Sequence, residues 1–226
     1  FKDEEDVRSS PRQDFGGKEV LPGDIKYKDV NGDGVVNNDD IVPIGYRTVP
    51  GVQYGMGLST SWKNFEFNIL FQGSGKCDFF IGGNGPHAFR NGQTGNILQT
   101  MVDDNRWIPS EISGDVSTEN PNANWPRLTW GNNDNNNQKS TFWLRDGRYI
   151  RLKNIELRYN VPTTFTRKFF VSNMQIGFIG ENLHTWSPFK LWDPENATTD
   201  EKNSGVRSGN AYPINRTYSC YIKLSF

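Results

Sequence analysis

Cysteine, histidine and methionine are scarce in these 226 residues, at two, two and three copies. Cys77 and Cys220 cannot staple a disulfide scaffold. A single bridge between them would close a very long loop, and free thiols are the default. His87 and His184 offer no visible catalytic triad. There is no His-Glu-x-x-His and no Gly-x-Ser-x-Gly, and Gly73-Ser74-Gly75-Lys76-Cys77 lacks the first Gly and the final Ser/Thr of a phosphate loop. An enzyme is therefore not expected. No apolar run approaches the ~20 residues of a spanning helix. Charge of one sign is lacking too: Lys+Arg 25 against Asp+Glu 26 leaves a net −1, with no basic footprint for nucleic acid. The opening Phe1-Lys2-Asp3-Glu4-Glu5-Asp6 is not a signal peptide, and a start without Met reads as a fragment. Finally, aliphatic core is short: the chain is 34% hydrophobic without its 23 Gly, with a mean hydropathy of −0.72. That fraction stays below the ~45–50% usual for globular domains even allowing that this figure counts Gly.

What is abundant is turn chemistry and aromatic surface. The chain holds 25 Asn, 23 Gly and 12 Pro beside 15 Phe, 8 Tyr and 7 Trp, too many aromatics for disorder. The aromatics fall in period-two segments. Near 52–62, Tyr54, Met56, Leu58, Thr60 and Trp62 alternate with Gly, Ser and Gln. After Lys63-Asn64, the segment 65–72 resumes with Phe65, Phe67, Ile69 and Phe71. Segments near 150–161 (Ile155, Leu157, Tyr159, Val161), 171–183 (Met174, Ile176, Phe178) and 216–226 (Tyr218, Cys220, Ile222, Leu224, Phe226) follow the same rule. Each has a polar opposite face, which includes Glu66, Glu156, Arg158 and Lys223.

Connection lengths alternate as well, at about two, 75, nine and 32 residues. Tight turns at one end and long loops at the other describe an up-and-down membrane barrel. Aromatics near both strand ends fit its two girdles, Tyr54 and Tyr218 at the loop end, Trp62, Phe65, Tyr159 and Phe226 at the turn end. A soluble β-sandwich is the competing architecture, but its core would favour Val, Ile and Leu. The expected fold is all-β. Five strands cannot close a barrel, so the chain is expected to be the C-terminal part of a larger one. Residues 1–51, 73–149 and 184–215 would then be its extracellular loops.

Three features stand out in those loops and at the end of the chain. Asp29-Val30-Asn31-Gly32-Asp33-Gly34-Val35-Val36-Asn37-Asn38-Asp39-Asp40 fills an EF-hand-type Ca²⁺ register. Asp29, Asn31 and Asp33 would give side-chain oxygens, Val35 its carbonyl and Asp40 the closing carboxylate, with Gly34 at the sharp turn and Val36 tucked inward. An Asx-rich turn without an ion is the alternative. Ile97, Leu98, Met101 and Val102 suggest a short helix with Asp103 and Asp104 on its solvated face. Trp107, Trp125 and Trp130 are weak candidates for stacking on a substrate; anchoring the loop onto itself is their commoner use. At the end of the chain, Tyr218, Ile222, Leu224 and Phe226 resemble the barrel-assembly signal of bacterial outer-membrane proteins.

Four stretches taken together resemble the SusC/RagA-like TonB-dependent transporters of bacterial outer membranes. They are Pro22–Tyr27 leading into Asp29–Asp40; Arg106-Trp107-Ile108-Pro109 with Pro126–Trp130; Asp146–Asn154; and Gly180–Leu183 through Trp186 to Asp193-Pro194-Glu195. Tyr212-Pro213 and Arg216-Thr217-Tyr218 complete the series. The resemblance implies a barrel of about 22 strands, of which this chain supplies the last five. It implies a plug domain and a TonB-contacting N-terminal segment outside these residues. It also implies import of oligosaccharides or peptides with a SusD-like surface lipoprotein. A passive porin, or a secreted calcium-stabilised glycan-binding or adhesion module, is the rival function.

Overall fold

A computed structural model describes residues 1–92, 95–103 and 105–226. The chain divides into two compact units. The first comprises Phe1–Gly45, Phe80–Leu144 and Ala197–Asn210; the second comprises Tyr46–Phe79, Arg145–Asn196 and Ala211–Phe226. Each is described by itself.

The second unit is built on one antiparallel sheet. Its strands are β1 (Val52–Trp62), β2 (Phe65–Gly75), β3 (Tyr149–Val161), β4 (Asn173–Trp186) and β5 (Thr217–Ser225). They lie in the order β5-β4-β3-β2-β1, so every strand pairs with its neighbours in sequence. At 9 to 14 residues, each is long enough for the ~9–11 residues of a membrane-crossing strand. β2 runs three residues beyond the span expected from its alternation, and β4 likewise reaches Trp186. Lys63 turns β1 into β2 with φ 54°, its ammonium over the Trp62 ring at 4.5 Å.

Register turns the alternation into cross-strand rows. Leu58, Ile69, Ile155, Gly180 and Tyr218 lie side by side, as do Thr60, Phe67, Leu157, Phe178 and Cys220, then Trp62, Phe65, Tyr159, Ile176 and Ile222. That face is apolar apart from Thr60 and, at the loop end, His184 beside Leu152. It is also open: Met56, Leu58, Trp62, Tyr218 and Ile222 are among its exposed members. Burying a side chain of this kind is worth about 1.5–3 kcal/mol. Ten of them left in water would outweigh the ~5–15 kcal/mol net stability of a typical domain. Hydrocarbon therefore has to cover this face.

A bulge keeps the pattern in phase. The β2–β3 register shifts between Leu70 and Phe71, and the β3–β4 register shifts between Leu152 and Asn154. Lys153 is the unmatched residue against β2; against it, β4 carries the unmatched pair Asn182 and Leu183. Asn182 takes the left-handed conformation with φ 53°. Ile150 and Leu152 thereby stay on the apolar face although their parity is opposite to that of Ile155. Both edge strands, β1 and β5, are exposed almost throughout. Unpaired edges in lipid leave backbone groups without partners, so this sheet is a segment of a larger barrel.

The first unit contains short elements only. A helix spans Gln99–Asp103 with Met101 buried; Asp104, expected on its solvated face, lies outside the described residues. Val36, Ile81, Met101, Trp107, Trp125 and Trp143 supply its apolar interior. Among the described residues no helix is long and apolar enough to cross a membrane.

Candidate functional site: the polar sheet face and its loops

Opposite the apolar rows, the sheet carries a connected polar surface. Glu66 and Arg158 face each other across β2 and β3 at 3.0 Å, and Arg158 also lies 3.0 Å from Glu156. Asn68 donates to Glu156 at 3.2 Å, Asn160 donates to Glu66 at 2.9 Å, and Gln175 donates to Asn160 at 2.8 Å. The Tyr221 hydroxyl reaches Gln175 at 3.3 Å from β5. Its ring lies flat over Gly177, where a Cβ would sit 2.2 Å from the ring. Half-exposed ion pairs of this kind stabilise by about 0–1 kcal/mol. Their chemical consequence is a hydrated, charged wall, and Lys223 shares that face.

At the loop end of the same face, Arg151 is 2% exposed and forms the local hub. Its guanidinium lies 2.6 Å from Asp193 and 3.3 Å from Glu195. The loop after β4 is thereby tied to β3 by ion pairs whose arginine is buried and whose carboxylates are partly exposed. Phe79, Phe189 and Trp192 pack edge to face beside it, at 5.0 and 4.9 Å.

In the first unit, asparagine does the work of a core. The Asp24 side chain, 1% exposed, accepts from Arg127 at 2.8 Å, Asn136 at 2.7 Å and the Leu21 N–H at 2.9 Å. Asn133, Asn135 and Asn136 are buried; Trp143 donates to the Asn136 carbonyl at 2.6 Å, and Tyr27 to that of Asn135 at 2.7 Å. Burial pushes the Tyr27 phenol up from its ordinary value. The Asn132–Asn137 run reads as loop in the sequence. It is the polar centre of this unit, a role that pairing with Asp24 across more than a hundred residues gives it.

The three candidate tryptophans separate. Trp107 and Trp125 are 6% and 5% exposed, and both border one cavity of about 410 Å³ that also meets Asp24, Tyr27 and Phe142. Gly23 packs against the Trp107 ring, so this side chain anchors the loop and offers no open stacking face. Trp130 is 62% exposed, tilted against Phe89 at 5.5 Å, and is the one of the three open to solvent.

Asp29, Asn31, Asp33, Val35 and Asp40 form a loop of side-chain-to-backbone bonds. Asp29 accepts from Gly32 and Gly34, Asn31 from Asp33, Asp33 from Val35, and Asp40 from Val30 and Asn37. These N–H bonds hold the Asp40 carboxyl below its ordinary pKa. Gly32 and Gly34 take positive φ, and Val36 is buried. Among the described residues no three acidic, histidine or cysteine side chains come together as a ready metal cluster. None of the three aspartates is in an ion pair there either. The donor set suits a hard cation, and its carboxylates are turned to the backbone.

Tyr218, Ile222, Leu224 and Phe226 all lie exposed along the last strand and its end. Cys77 is buried with its sulfur 3.8 Å from the Ser74 hydroxyl, and Cys220 sits exposed on the apolar face.

Long antiparallel strands, one lipid-facing surface, one hydrated surface and open edges define a segment of an outer-membrane β-barrel. No family model matches the chain. Over its whole length it is 29% identical to TonB-dependent receptor P26 of Formosa agariphila, covering 21% of that protein. Over 91% of its length it is 28% identical to TonB-dependent receptor P3 of the same organism, covering 19%. Its fold matches the RagAB peptide importer in the open-open state with a TM-score of 0.57 at 21% identity, over 80% of this chain and 18% of the other. The closed-closed state gives the same score over 81% of the chain. The chain thus spans about a fifth of the length of these relatives. It is similar to TonB-dependent receptors from end to end, its fold matches a piece of the RagAB barrel, and it resides in the bacterial outer membrane. The relatives carry the names of receptors and an importer, and none that of an enzyme.

Proposed function

We propose that this chain forms barrel wall and outer vestibule in a TonB-dependent importer of oligosaccharides or peptides. A SusD-like surface lipoprotein would lid the loops, and TonB would engage the N-terminal part of the whole protein. The supporting observation is the pairing of a lipid-facing sheet surface with a hydrogen-bonded polar one, in a chain that resembles TonB-dependent receptors throughout. Glu66, Glu156, Arg158 and Lys223 would line the water-filled side. The test is uptake of labelled oligosaccharides and peptides by cells carrying the full-length protein, with and without TonB and the neighbouring lipoprotein. Uptake is expected to stop without TonB; uptake that continues unchanged identifies a passive pore.

The Asp29–Asp40 loop is proposed to take a structural Ca²⁺. Asp29, Asn31, Asp33 and Asp40 would hold it through side-chain oxygens and Val35 through its carbonyl. The ion would supply positive charge to aspartates that, among the described residues, form no ion pair.

A further inference from the structure

The loop end of the polar face holds a cavity of about 250 Å³, bordered by Arg151, Asn182, Thr185, Lys190, Trp192 and Arg216. It has room for one sugar ring or one amino-acid residue. Arg151 and Thr185 are register partners on β3 and β4, and Arg151 is also the partner of Gln72 on the polar face of β2. The cavity therefore opens on the hydrated side of the sheet.

Its electrostatics are uneven. Arg151 faces two carboxylates, Asp193 on the cavity wall and Glu195, so with Lys190 and Arg216 the group holds three cations against two anions. Lys190 and Arg216 are exposed at the rim, and among the described residues neither makes an ion pair or a side-chain hydrogen bond. The wall also holds buried polar atoms without partners: Arg151 Nε and Trp192 Nε1, both donors, and Asn182 Oδ1, an acceptor. Asn182 is the bulge residue held at positive φ, and bulges of this kind re-aim side chains next to binding sites. Buried polar groups are normally satisfied, and here they cluster where two unpaired cations converge.

We propose that this cavity binds the carboxylate of an acidic oligomer, with Lys190 and Arg216 as its charge partners and Trp192 and Phe189 walling the attached residue. A neutral ligand would leave both cations without a role, and a cationic one would be repelled. The carboxylate can belong to a uronic acid or to a peptide. The proposal rests on the import reading and adds a substrate class to it.

The test uses the full-length transporter in detergent and calorimetric titration at low salt. The probes are trigalacturonate, triglutamate, maltotriose and triglycine. One acidic probe should bind at least tenfold tighter than its neutral counterpart, and which one does so assigns the ligand as sugar or peptide. The double substitution Lys190→Gln with Arg216→Gln should remove at least tenfold of that affinity and leave neutral probes unchanged, while Lys190→Arg retains it. Both positions are exposed, and the heat-modifiable band of the folded barrel checks that the variants fold. Equal binding of acidic and neutral probes, or undiminished acid binding by the double variant, overturns the proposal. Uptake of the same probes with and without TonB is read separately. TonB-dependent uptake with no acid preference sinks the pocket and spares the importer; acid binding with TonB-independent uptake does the reverse.

Discussion

Two buried residues of the first unit make opposite demands on charge. Asp24 is an ionised acceptor surrounded by donors, with Arg127 as its countercharge. Removing one partner of a buried pair costs about 3–5 kcal/mol, because the other is left uncompensated. Asp24→Ala is therefore expected to open this unit to limited proteolysis in the full-length protein, while the folded barrel band on gels is retained. Protease resistance equal to wild type would show that the Asn-rich network holds without it. His87 is the reverse case. It is buried against Trp143 at 5.0 Å with neither ring nitrogen hydrogen-bonded, and burial, helped by Arg90, lowers its pKa to about 4. The unfolded chain, with the ordinary value near 6.5, binds more protons than the folded one between pH 6.5 and 4. Stability of the unit must then fall as pH drops through that window, by about 1.4 kcal/mol for each unit of pKa difference. Proteolysis of the loops should quicken from pH 7 to 5 in the wild type, and His87→Phe should flatten the profile. A wild type indifferent to that change would show that His87 titrates normally.

At the scale of elements, the strands were legible because period two is a local signal and the solvent on each face is uniform along a strand. The alternation around Leu58, Ile69 and Ile155 carries directly into the cross-strand rows. The bulge was not legible. Ile150 and Leu152 have the wrong parity for the run at Ile155, and only the pairing with Phe71 and Gly73 restores them to the apolar face. The extension of β2 to Gly75 was hidden too, since Gly73, Ser74 and Gly75 carry no alternation. Tyr54 supplies the missing signal from the next strand: its ring covers Gly73, and its hydroxyl donates to the Tyr149 carbonyl at 3.1 Å. The Asp29–Asp40 loop shows the opposite balance. Its spacing is plain in the sequence, and Val36 is buried as its position in the motif requires. Its carboxylates nevertheless serve backbone N–H groups, which the spacing does not reveal. If the loop takes Ca²⁺, adding the ion to chelator-treated full-length protein should slow cleavage within residues 29–40, and Asp33→Ala should abolish the effect. Identical cleavage with and without Ca²⁺ in the wild type would leave an Asx-rich turn as the whole account of this loop.

For the whole molecule, the deciding fact is that the sheet has two open edges and one open apolar face. Either could be explained away alone, since edge strands occur in soluble proteins and exposed apolar patches mark interfaces. Together they leave few solutions, because a soluble partner would have to cover three full rows of Phe, Ile, Leu, Trp and Tyr as well as both edges. The low hydrophobic fraction is compatible with this, since the interior of the first unit is built from Asp24, Asn133, Asn135 and Asn136 beside a few tryptophans. That polar interior escaped the sequence reading because its contacts join residues more than a hundred positions apart. The same argument sets the final test. Expressed alone in plain buffer, residues 1–226 are expected to aggregate through β1, β5 and the apolar rows. Full-length protein in detergent should instead give a compact, heat-modifiable barrel. Far-UV circular dichroism and size-exclusion chromatography distinguish the two. A monomeric, sheet-rich peak from the isolated chain without detergent would mean that the apolar face has found cover within these residues. The secreted calcium-stabilised module would then replace the barrel segment as the reading of this chain.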